Sequence, residues 1–113
     1  MNWIPLTTES QLEEIITESN EAPVMIFKHS TRCSISSTSL NRLERNWNET
    51  EMNTVKAYYL DLIANRSVSN KIESLLNVEH QSPQAILIEN GKSSWNASHY
   101  DIQYDALKKA LGK

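Results

Sequence analysis

Two four-residue stretches, Val24-Met25-Ile26-Phe27 and Ala85-Ile86-Leu87-Ile88, carry no polar side chain on either side of a pleat. A strand with one face in water alternates apolar and polar residues, whereas a strand covered on both faces has no need to. Both stretches therefore suit a sheet held between layers of helix. The segments around them have the matching helical period. From Glu9 to Ser19, Leu12, Ile15 and Ile16 share a face, and Thr8 followed by Gln11 makes a capping-box pattern. Past Cys33, Leu40, Leu43 and Trp47 form an apolar stripe with Asn41, Arg42, Glu44 and Arg45 between them. Val55 to Leu60 supplies the next strand, and Asp61 closes it. Ser67 to Leu76 places Val68, Ile72, Leu75 and Leu76 on one helical face.

A strand over Pro83 to Ile88 leads through the hairpin signal Asn90-Gly91 into Lys92 to Trp95. Asp101 to Leu111 reads as a last helix, packed through Tyr104, Leu107 and Leu111. A short first strand at Trp3 to Leu6 is compatible with this order. Strands alternating with helices imply an α/β fold with right-handed crossovers. The expected architecture is a central mixed sheet of four to five strands, flanked by helices on both faces. A chain of 113 residues without a linker or repeat is expected to form one domain over 1–113.

Charge and composition exclude several functions. The net charge is −3 and no stretch combines clustered Lys and Arg with aromatics, so nucleic acid is not an expected partner. Gly91 and Gly112 are the only glycines, which leaves no glycine-rich loop for a phosphate or dinucleotide. Neither a membrane span of roughly 20 apolar residues nor a secretory leader is visible, so a cytoplasmic location is expected and no membrane partner. The sequons at Asn48, Asn65 and Asn96 are then expected to be silent.

The lone cysteine, Cys33, forms no internal disulfide, and with only His29, His80 and His99 beside it no metal-ligand spacing appears. Cys33 follows the Val24–His29 strand by four residues and opens the next helix. Backbone N–H groups and the helix dipole favour a thiolate there, and Arg32 is an adjacent cation. Lys28 and His29 stand at the end of the preceding strand and are expected to add to the positive field. A buried, inert cysteine is the plainer alternative, but Ser30, Thr31, Arg32, Ser34, Ser36, Ser37 and Thr38 do not read as core. Ser36, three residues on, is either a donor to the sulfur or simply a serine in a first helical turn. Ser82-Pro83 opens a strand, where either a cis X-Pro bond or an ordinary trans proline at a strand's first residue fits. In the cis form Ser82 could offer its backbone to an extended substrate. His80 and His99 read as solvated loop residues.

The run Phe27-Lys28-His29-Ser30-Thr31-Arg32-Cys33-Ser34-Ile35-Ser36-Ser37 resembles the active-site segment of the monothiol bacilliredoxins, the YtxJ-like family of thioredoxin-fold proteins. Gln81-Ser82-Pro83-Gln84-Ala85 is similar to that family's cis-proline segment. The resemblance implies a thioredoxin-like fold and a thiol-disulfide oxidoreductase that removes bacillithiol from S-thiolated proteins. Cys33 would be the attacking thiol and Pro83 the cis-proline, with Arg32, Ser34, Ser36 and Ser82 in support. No tightly bound cofactor is implied; bacillithiol would serve as co-substrate, and a flavin disulfide reductase could act through it. The family commonly has proline directly after the cysteine, where this chain has Ser34. Two other readings stand beside this one: a redox-inactive binding module, and a redox sensor modified at Cys33 without turnover.

Overall fold

The computed structural model describes residues 1–113. The chain runs β1 (Ile4–Pro5), α1 (Glu9–Glu18), β2 (Val24–His29), α2 (Ser34–Asn46), β3 (Lys56–Asp61), α3 (Arg66–Leu76), β4 (Gln84–Glu89), β5 (Lys92–Ser98) and α4 (Tyr104–Ala110). The five strands form one sheet in the order β1-β3-β2-β4-β5. β3 is parallel to both β1 and β2, while β4 is antiparallel to β2 and to β5. The mixed sheet and its helices agree with the architecture read from the hydrophobic pattern.

Every residue of β2 is buried, as its unbroken apolar run requires of a central strand. Its side chains alternate between two cores. Val24 and Ile26 face a cluster with Leu12 and Ile15 of α1, Val68 and Ile72 of α3, and Ile86 and Ile88 of β4. Met25 and Phe27 face the other cluster, with Leu43 of α2, Leu87 of β4, and Ile102 and Leu107 at the C-terminus. The helices thus lie as pairs, α1 with α3 and α2 with α4, on opposite sides of the sheet.

Local signals close the elements. The Thr8 hydroxyl accepts from the Gln11 N–H, and the Gln11 side chain accepts from the Thr8 N–H, which completes the capping box of α1. Asn90 and Gly91 both have positive φ, 53° and 74°, as a two-residue hairpin of the primed type demands. One expected element differs. Residues 101–111 do not form one helix: His99–Asp101 make a single 3-10 turn, and α4 starts only at Tyr104. Ile102 is extended and buried between them, and its anchoring in the core breaks the helix that the spacing of Tyr104 and Leu107 suggested.

Candidate active site

The site forms where β2 ends and α2 begins. The loop Ser30–Cys33 turns the chain, and the Cys33 N–H donates to the Ser30 carbonyl over 3.2 Å. Cys33 is the N-cap residue of α2, with extended backbone at φ −115° and ψ 119°. Its carbonyl accepts the Ser37 N–H at 3.2 Å, the first bond of the helix. The thiol is a free, half-buried group at the positive end of the helix dipole. Thr31, Arg32 and Ser34 around it are exposed. Arg32 forms no ion pair, so its guanidinium is a solvated positive charge one residue along the chain from Cys33.

Ser36 does something other than bond to the sulfur. It is fully buried, and its Oγ lies 2.7 Å from His29 Nδ1 and accepts the Ser30 N–H at 3.0 Å. The hydroxyl therefore ties the first turn of α2 to the last residue of β2 and closes the Ser30–Cys33 loop beneath the thiol. The serine-rich stretch is accordingly not all surface: Ser36 and Ser39 are buried, and the Ser39 hydroxyl donates to the His99 carbonyl at 3.1 Å.

His29 packs against the rings of Phe27 and Tyr59, at centroid distances of 6.4 and 5.6 Å. Burial lowers its pKa, an effect that Asp61 and Glu44 partly oppose. Neutral His29, accepting at Nδ1 from the Ser36 hydroxyl, satisfies both groups. The expectation of a positive field from the end of β2 is thus not met. His29 favours its neutral form, and Lys28 points to the opposite face of the sheet. There Lys28 is fully buried, with Nζ 3.1 Å from His80 Nδ1 and 3.5 Å from the Ser69 carbonyl. Burial pushes its pKa down to about 8, against the favourable charge of Glu73. His80, read as a solvated loop residue, is exposed but turns Nδ1 inward to this lysine. Alternation along β2 was the available signal for Lys28, because Val24, Ile26 and Lys28 share one face.

The Ser82–Pro83 peptide bond is cis, and Pro83 is buried at the entry to β4. Antiparallel pairing sets Lys28 opposite Gln84, which puts Pro83 beside the end of β2. The Pro83 carbonyl accepts the His99 N–H at 3.1 Å, so the proline also adjoins the turn on which α2 rests through Ser39. Cys33 and the Ser82-Pro83 segment consequently occupy the same end of the sheet. A cleft of about 470 Å³ lies away from Cys33, lined by Arg42, Asn46, Gln103, Tyr104 and Asp105.

Residues 4–107 match the family model of the monothiol bacilliredoxin BrxC. The chain belongs to the monothiol bacilliredoxin family. A solved structure described as a candidate oxidoreductase with a thioredoxin fold is 33% identical, with a TM-score of 0.82, over 96% of this chain and 92% of that one. Thioredoxin from Fasciola hepatica aligns at 18% identity and a TM-score of 0.73, over 96% and 95% of the two chains. Thioredoxin from Trypanosoma brucei brucei aligns at 18% identity and a TM-score of 0.76, over 98% and 88%. These two establish the thioredoxin fold. Membership of the bacilliredoxin family adds a thiol redox role, and Cys33 is the one thiol the chain has for it.

Proposed function

We propose that this bacilliredoxin-family chain is a monothiol oxidoreductase that reduces mixed disulfides between protein cysteines and a low-molecular-weight thiol such as bacillithiol. The carrying observation is the place of the sole cysteine: half-buried, at the N-terminus of α2, on an open surface. The Cys33 thiolate attacks the small thiol's sulfur in the mixed disulfide. That S–S bond breaks, a new one forms between Cys33 and the small thiol, and the client cysteine leaves as a thiolate. No second thiol exists to displace the adduct, so a second small-thiol molecule must attack it. This step yields the symmetrical small disulfide and frees Cys33, and a flavin disulfide reductase could then reduce the disulfide. Arg32 contributes positive charge outside the site, Ser34 N–H is a free donor of the first turn, and Ser36 acts through the loop it closes. Ser82 and Pro83 border the place where an extended client would lie.

The test is a protein thiol loaded with bacillithiol, followed by intact mass with wild type and with Cys33→Ser. Wild type should unload the client and gain one small-thiol adduct; Cys33→Ser should do neither, with an unchanged melting curve because no cross-link is lost. Unloading by the serine variant above the uncatalysed rate removes Cys33 from the reaction. A redox-inactive binding module would leave the client loaded in both samples, whereas a sensor without turnover would take one adduct and unload no further client when excess bacillithiol is added.

A further inference from the structure

Lys28 is the one lysine that is fully buried, and no carboxylate lies within ion-pair distance of it. A buried cation without such a partner destabilises a fold, and an apolar side chain of similar length would serve packing better. What Lys28 does hold is the segment leading into β4. Its ammonium donates to His80 Nδ1, and the His80 backbone N–H donates to Glu73 Oε2 of α3 at 2.6 Å. From the sheet side, Gln84 Nε2 donates to the Glu79 carbonyl at 3.0 Å, and Gln84 Oε1 accepts the Gln81 N–H at 3.4 Å. Ser82, the last residue of this segment, contributes nothing to its own placement: its hydroxyl is buried and has no partner. The backbone beside Cys33 is therefore fixed from behind the sheet, by groups that never reach the thiol's face.

We propose that Lys28 and His80 are positioning residues that hold Gln81–Ser82 ready to receive the backbone of an extended, peptide-borne disulfide, and so favour such substrates over small disulfides. This inference rests on the reading of Cys33 given above. A peptide offers main-chain donors and acceptors that need a fixed partner strand, whereas a small aromatic disulfide needs only the sulfur.

Two probes separate these demands. One is 5,5′-dithiobis(2-nitrobenzoate), and the other is a ten-residue peptide whose single cysteine carries thionitrobenzoate as a mixed disulfide. In each case the Cys33 thiolate attacks, one S–S bond replaces another, and yellow thionitrobenzoate leaves, so one absorbance reads both reactions. The ratio of the two second-order rates cancels whatever a variant does to the thiol itself. Lys28→Met and His80→Ala should lower the peptide-to-small ratio about tenfold, the scale of losing one aligned hydrogen-bonded contact. His80→Asn, whose Oδ1 takes the place of Nδ1, should restore it. A merely structural lysine predicts a different result, since removing it should leave the ratio alone whatever it does to the melting temperature. A wild-type ratio in Lys28→Met, or equal slowing of both probes, overturns the proposal. Wild type inert to both probes instead sinks the reading of Cys33, and this proposal with it.

Discussion

Lys28 and His29 are consecutive residues of β2, both buried, and they meet burial in opposite ways. His29 faces α2, sheds its charge and shares a hydrogen bond with the equally buried Ser36. Lys28 faces α3 and stays a cation at neutral pH, answered only by an imidazole nitrogen and a carbonyl. The first arrangement stabilises because each polar atom finds a neutral partner. The second costs stability, and its product is position rather than energy. One strand end thus carries the loop under Cys33 on one face and the segment before Pro83 on the other, with different energetics for each.

The largest expected effect sharpens that contrast on the Lys28 side. Its pKa lies at about 8 in the fold against the ordinary 10.5. Below pH 8 the amine is charged in both folded and unfolded chains, and the full burial penalty applies. Between about 8 and 10.5 the folded state gives up its proton first, so the penalty fades as pH rises. Lys28→Met should accordingly be more stable than wild type at pH 7, within the roughly 1–4 kcal/mol typical when apolar packing replaces buried charge, with the gap narrowing steadily toward pH 10. Urea melts of both proteins across that range give the gap. A constant difference would mean that the amine is not titrating in the fold.

On the His29 side the effect has the opposite sign. Ser36→Ala leaves the half-buried Ser30 N–H and the buried His29 Nδ1 without their shared hydroxyl. The expected loss is about 2 kcal/mol, read as a lower urea midpoint at unchanged slope. A silent Ser36→Ala would show that the loop below Cys33 is held by its backbone alone.

His29 itself should show in acid. Its folded pKa lies below the ordinary 6.5, so the unfolded chain binds the proton first and stability falls as pH drops from 6.5 toward the folded value. One proton sets a limit of about 1.4 kcal/mol per pH unit. His29→Gln should flatten this part of the stability profile relative to wild type. An identical slope in both proteins would assign the acid sensitivity elsewhere, with His80, also lowered by burial, as the next group to change.

Much of this was legible in sequence because it rests on local periodicity. The apolar run of β2, the Thr8–Gln11 cap and the Asn90-Gly91 turn each have a short-range cause and appear where that cause puts them. Ser36 was within reach as well: its spacing to Ser39 and Leu43 follows the buried face of α2, but serine chemistry drew the reading toward surface. Lys28 shared the face of Val24 and Ile26 for the same reason of spacing. The partnership with His80 was not readable, since it joins residues 52 apart through the packing of α3 against the sheet. The break before Tyr104 was hidden likewise, because the burial of Ile102 is a tertiary event that helical propensity does not report.

The smallest expected effect concerns Ser34, which stands where the family commonly has proline. It is the first residue of α2, a position whose N–H has no partner within a helix and where a φ near −65° is already required. No backbone acceptor takes the Ser34 N–H, so proline forfeits no bond there. Proline also restricts the residue before it to extended backbone, and Cys33 already has φ −115° and ψ 119°. Ser34→Pro should therefore stabilise the protein by about 0.4–1 kcal/mol, chiefly by narrowing the unfolded ensemble. The same change deletes one N–H from the positive end of α2, the end that faces the Cys33 thiolate, while the helix dipole and Arg32 remain. Exchange with 5,5′-dithiobis(2-nitrobenzoate) at neutral pH should fall by no more than about threefold, a share of the whole dipole's modest worth. A destabilised Ser34→Pro would mean that the first turn of α2 departs from the geometry described for it. A loss of exchange far beyond threefold would make the Ser34 N–H the principal support of the thiolate, and this chain's serine a functional substitute for the family's proline rather than a tolerated one.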